Sequence, residues 1–113
     1  MKSVSTLFLM IALALPALAV PTLTWADPLK EALSLDRQGF VGETLPHWQE
    51  FIATQPEKKL DLFAHIKLST ALTKLGRLHD AFKLAETLHK RYPDDFHARF
   101  NFGNRSSAIK HFP

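Results

Sequence analysis

Apolar residues in this chain fall into one unbroken run followed by a series of periodic ones. The unbroken run is Leu7 to Leu15. From Asp27 onward the spacing is that of amphipathic helices. Asp27-Pro28 supplies an acidic cap and a first-turn proline, and Leu29, Ala32, Leu33 and Leu35 follow on one face as far as Gly39. A second helix is expected to start near Gly42 to Thr44, with Pro46 in its first turn. Leu45, Trp48, Phe51 and Ile52 mark its apolar face, and Gln55-Pro56 ends it. A third runs from about Lys58 to Lys74, with Leu62, His65, Leu68, Ser69, Leu72 and Leu75 on one stripe and Phe63 and Ile66 beside it. Gly76 stops it. A fourth runs from about His79 to Arg91, with Ala81, Leu84, Ala85, Leu88 and Tyr92 in phase, and Pro93 ends it. Lys90 and Arg91 suit its C-terminus, where the helix dipole favours cations. Asp95 caps a fifth, from Phe96 onward. No stretch alternates with the two-residue period of a strand, so the expected fold class is all-α.

The unbroken run belongs to a different kind of segment. Lys2, the apolar stretch and the small residues after it have the three-part layout of a secretory signal peptide. Cleavage after Ala26 is preferred, because the next residue is an acid and Pro21 breaks the apolar segment at a suitable distance; cleavage after Ala19 is the alternative. A retained membrane anchor is the competing reading, but Val4 to Val20 is short for a span and Pro16 interrupts it. Removing 26 of the 113 residues leaves 87, takes away Lys2 and no acid, and lowers the net charge from +3 to +2. The protein is expected in the periplasm or secreted, as a single helical domain over residues 27–113.

Within that domain the pattern repeats. Gly39 and Gly76 are 37 residues apart, and so are Pro56 and Pro93. A first helix, a glycine turn, a second helix and a proline stop therefore occur twice, at about residues 25–58 and 62–95, and a partial third copy covers 96–113. This resembles the tetratricopeptide repeat family. Counted back from Pro93, Leu68, Ser69, Leu72, Gly76, Ala81, Ala85 and Leu88 fall where the family's 34-residue unit prefers residues of those kinds. In the first copy Ala32, Leu35, Gly39, Trp48 and Phe51 match, whereas Pro28, Glu31 and Thr44 depart from the pattern. His65 stands where a large apolar residue is usual. In the third copy Phe102 and Gly103 match, and Ser106 does not. Three extra residues separate the first two copies, which a longer third helix would absorb. The resemblance implies a short solenoid of antiparallel helix hairpins, about two and a half repeats long, each burying its apolar face against the next.

Composition narrows the chemistry. Hydrophobic residues at 46% and charged residues at 22% are those of a globular chain. The absence of cysteine excludes disulfide scaffolds, thiolate metal sites and cysteine nucleophiles. Six histidines lie on different expected helices or turns with no HExxH among them. Glu86 and His89 have the spacing of half a di-metal bundle site, which needs a second such pair. A metal-dependent helical protein or enzyme is thus a minor alternative, and neither metal nor cofactor is expected. Asp94 and Asp95 read as a helix stop and a helix cap before they read as paired catalytic acids. GxSxG, GxGxxG and P-loop motifs are missing, so no catalytic residue is assigned. Asn104-Arg105-Ser106 fits a glycosylation sequon, of consequence only in a eukaryotic secretory pathway. Lys58-Lys59 and His89-Lys90-Arg91 are short basic clusters, not the continuous stripe that nucleic acid requires.

What the resemblance implies is a binding surface. Family members hold ligands in the concave groove lined by the first helices of each repeat. The groove positions correspond here to Phe63, Ile66, Lys67, Thr70, Thr73 and Lys74 in the second copy and to His97, Phe100, Asn101 and Asn104 in the third. An apolar strip flanked by lysines and amides suits a protein or peptide partner, as an extended peptide or a helix. The bland reading is that Phe63, Ile66 and Phe100 pack against neighbouring helices. Members that bind chaperone tails carry Lys at a position that here is Leu29, Ile66 and Phe100, which argues against that carboxylate clamp. The expected role is a scaffold or adaptor in an envelope assembly. The other reading is the front part of a longer array without independent activity, able to self-associate through its C-terminal helix.

Overall fold

The computed structural model describes residues 26–111, and over that range its regular structure is all helix, with no strand. The five helices are α1 (Ala26–Arg37), α2 (Val41–Ala53), α3 (Lys58–Lys74), α4 (Leu78–Arg91) and α5 (Phe96–His111). Of the expected leader, residues 1–26, all but Ala26 lie outside the described residues. Each helix packs on the next in sequence, and α3 also touches α5. No described helix is long and apolar enough to cross a membrane.

The boundaries follow the local chemistry. After both α1 and α3 the chain closes in the same way. Gly39 N–H donates to the Asp36 carbonyl and Phe40 N–H to the Leu35 carbonyl; Gly76 and Arg77 do the same to Thr73 and Leu72. These are paired Schellman caps, each with its glycine in the left-handed region at φ 84° and 80°. A methyl group at either glycine would meet nothing within 4 Å, so the backbone angle alone selects the residue. Gly39→Ala and Gly76→Ala are each expected to lower stability by about 1 kcal/mol. Gly42→Ala, inside α2 with equally open space, should be neutral or stabilising. Urea denaturation of the three variants checks both signs.

Two expectations need correction. α2 begins at Val41, earlier than expected, so Pro46 is its sixth residue and lies beyond the first turn. Its missing N–H leaves the Gly42 carbonyl without an intrahelical donor, tolerable because Gly42 is exposed and can be hydrated. Leu75 does not share the buried stripe of α3; it follows the helix end and is exposed.

The core consists of two buried clusters. Ala32 of α1, Trp48 and Phe51 of α2, Ala64, Leu68 and Leu72 of α3, and Ala81 of α4 form one buried cluster. Leu62, Leu88 and Ala98 form a second, joining α3, α4 and α5. Ala32, Thr44, Ser69, Ala81 and Ala85 are buried where helices approach closely, and their small size permits that approach.

Candidate partner-binding groove and its buried polar support

α3 opens with the turn of residues 58–61. That turn carries a buried carboxylate. Asp61 Oδ2 accepts from Arg91 Nη1 and from Tyr92 OH, each at 2.8 Å. His65, one turn on, has its Nδ1 3.1 Å from Asp61 Oδ1 and 2.9 Å from the Asp61 carbonyl. Lys58 on the same turn lies 3.8 Å from Asp95 and 5.5 Å from the Tyr92 ring centre. The first turn of α3 thus grips the joint between α4 and α5. Asp61 also lines a cleft of about 510 Å³ with Ile52, Ala53, Gln55, Pro56, Arg91 and Tyr92.

Electrostatics at the joint follow from these bonds. The hydrogen bond to Asp61 holds the Arg91 guanidinium above its ordinary pKa. Burial, then the Asp61 hydrogen bond, pushes the Tyr92 phenol above its ordinary value of 10.0. A tyrosine with a raised folded pKa keeps its proton longer folded than unfolded. Its contribution is complete below about pH 10 and is lost as pH rises through the folded value. Tyr92 is the only tyrosine. Its phenolate absorbance should therefore titrate above the free value, and Asp61→Ala should move the midpoint down. Asp95 Oδ1 accepts from the Ala98 N–H at 3.1 Å and caps α5, as the sequence suggests; that bond holds its carboxyl below the usual range.

α5, so held, lies beside α3, and the two flank a groove. Lys59, Leu62, Phe63, Ile66 and His97 line a largely apolar cleft of about 270 Å³. Phe63 is 38% exposed and sets its ring edge-on to Trp48, with centroids 5.9 Å apart. Lys67 reaches both the Phe63 ring at 5.7 Å and Asp36 of α1 at 3.4 Å. Lys74 is exposed, and Thr70 is half-buried with its hydroxyl donated to the Ile66 carbonyl at 2.8 Å. His97 is exposed, and Phe100 is 60% exposed and stacked on Phe96.

Asn101 departs from the exposed groove position expected of it. It is buried, with Oδ1 3.2 Å from Ser69 Oγ and 3.3 Å from Arg105 Nε, and its Nδ2 has no partner. Arg105 extends the same seam to Thr73 at 2.8 Å and Thr70 at 3.4 Å. The groove floor between α3 and α5 is therefore a polar network, not a row of free amides.

Other candidates separate. Glu86 lies 4.0 Å from Lys90, while His89 stacks on Phe102 at 5.1 Å. Among the described residues no three His, Cys, Asp or Glu side chains converge as metal ligands would. Phe102 is half-buried because Phe82 and His89 of α4 cover it.

Two features escaped the reading of the sequence. Asp61 stands four residues before His65 and seven before Leu68, on the buried stripe of α3, and a carboxylate on an apolar stripe is the signal that it has a partner. In sequence Arg105 reads only as part of a sequon. The chain matches no known protein family, no curated protein and no solved structure.

Proposed function

We propose that this chain is an exported tetratricopeptide-like adaptor that holds a peptide or a partner helix in the groove lined by its first helices. The observation that carries this reading is the apolar cleft that Leu62, Phe63 and Ile66 of α3 form with His97 of α5, in which Phe63 stays exposed. An open apolar cleft rimmed by polar side chains marks an interaction surface. The twofold recurrence of the glycine cap supports the repeat reading, as does the burial of the small residues Ala32, Ser69, Ala81 and Ala85. The leader pattern of the sequence supports a location in the periplasm or outside the cell.

The test is retention of envelope proteins on immobilised residues 27–113. Alanine at Phe63, Ile66 and Phe100 together should abolish retention of whatever the parent chain holds while the helical circular dichroism is kept. Unchanged retention by a folded triple variant would sink the groove reading. A second reading rests on Phe96, 63% exposed and stacked with Phe100 at 5.8 Å. On that reading a further helix of a longer array covers this face of α5. The intact mass of the native protein decides between them.

A further inference from the structure

Charge is unevenly divided among the helices. α3 and α5 together hold seven Lys and Arg against one acid, formally +6 in a chain whose total is +3. That acid is Asp61, buried and engaged by Arg91 and Tyr92. α5 carries no acid at all. The excess thus sits on the two helices that flank the groove. Lys59, Lys67 and Lys74 follow the same stripe of α3 as Phe63, Ile66 and Thr70. Lys67 is paired with Asp36, whereas among the described residues Lys59 and Lys74 have no carboxylate within ion-pair distance.

Arg105 is the most telling member. Its guanidinium donates to Thr73 Oγ1, Asn101 Oδ1 and Thr70 Oγ1, which are all neutral. No carboxylate among the described residues pairs with it, and burial pushes it below its ordinary pKa. A partly buried guanidinium ordinarily finds a carboxylate for its forked donors. Here the Thr70 and Thr73 hydroxyls of α3 hold the fork at the α3–α5 seam, so the cation is oriented but not neutralised.

We propose that the groove between α3 and α5 takes an extended acidic peptide, with a carboxylate on Arg105 and an apolar side chain in the cleft of Leu62, Phe63, Ile66 and His97. The inference rests on the groove reading above and names the chemistry of its partner. From Ile66 to Thr70 and Thr73 the helix rises about 6 to 10 Å. An extended strand covers that in about two or three residues. The fitting segment thus has an acid two or three positions from an apolar residue. Nucleic acid fits less well, because the cations are interrupted by an apolar cleft and hydroxyls where a phosphate track needs a continuous stripe.

Fluorescence anisotropy on residues 27–113 tests this. The probes are a labelled peptide of about ten residues, phenylalanine at its centre and glutamate elsewhere, and its counterpart with glutamine for every glutamate. The glutamate probe should bind at least about tenfold tighter at low salt and lose that advantage at high salt. Arg105→Gln should weaken it about tenfold. Because Arg105 also supports the α3–α5 seam, the exposed pair Lys59→Gln and Lys74→Gln provides a second readout, expected to weaken the glutamate probe and leave the glutamine probe alone. Arg77→Gln, remote from the groove, should change neither. Equal binding of the two probes overturns the acidic partner and leaves the groove reading standing. Binding of neither overturns the acidic extended peptide and leaves the groove reading to the retention test, and tighter binding of a single-stranded oligothymidine of equal charge overturns the peptide.

Discussion

Phe51→Ala is expected to lower the unfolding free energy by about 4 kcal/mol. Phe51 is fully buried in the cluster that joins α1, α2, α3 and α4. Removing the ring forfeits its burial and leaves a cavity whose walls cannot close easily, because they belong to four different helices. A domain of this size has a total stability of about 5 to 10 kcal/mol, so one such change consumes much of it. Urea titration followed by circular dichroism should show a far lower midpoint, with the unfolded form populated on warming. Phe100→Ala is the control. The same deletion at a 60% exposed site should cost less than about 0.5 kcal/mol. Similar losses at the two positions would show that the cluster is not the core of the fold.

Asp61→Ala ranks second, at about 3 kcal/mol. Breaking a buried pair by deleting one partner strands the other, and the usual cost is about 3 to 5 kcal/mol. The lower end applies because the Arg91 side chain is 47% exposed and can rehydrate. The buried His65 has no such recourse, which keeps the effect well above that of a surface ion pair. Asp61→Asn should recover part of the loss, since an amide oxygen still accepts but without charge. Arg91→Met alone should cost less than Asp61→Ala, and the double variant should lose less than the two singles summed. A loss below about 1 kcal/mol for Asp61→Ala would mean that the joint between α4 and α5 does not depend on this carboxylate.

Helix existence and most boundaries could be read from the sequence because the signals are local. Gly39, Gly76, Pro56, Pro93 and Asp95 each act within a few residues of where they stand. The buried small residues were also within reach, because helical phase alone brings Ala32, Ser69, Ala81 and Ala85 to one side of their helices. The polar architecture was not. Asp61 meets Arg91 and Tyr92 across thirty or so residues, and Arg105 meets Thr70 and Thr73 across a similar interval. Neither pairing has a local signature. Arg91 also misleads in sequence, because a cation in the last turn of a helix is already explained by the dipole. Asn101 was assigned to the groove by spacing, and spacing does not say whether an amide faces solvent or a neighbouring serine.

The neighbour-to-neighbour packing has a consequence for how the chain acquires its structure. Every helix finds its main partner within the next helix along the chain, so the contacts that define the fold close short loops. Short closures cost little chain entropy and form rapidly. Any adjacent pair can serve as a nucleus from which order spreads in either direction. α3 is the exception that ties the order together, since it touches α2, α4 and α5. A chain emerging residue by residue can therefore settle α1 against α2 early, but the groove takes shape only once α5 has arrived to lie along α3.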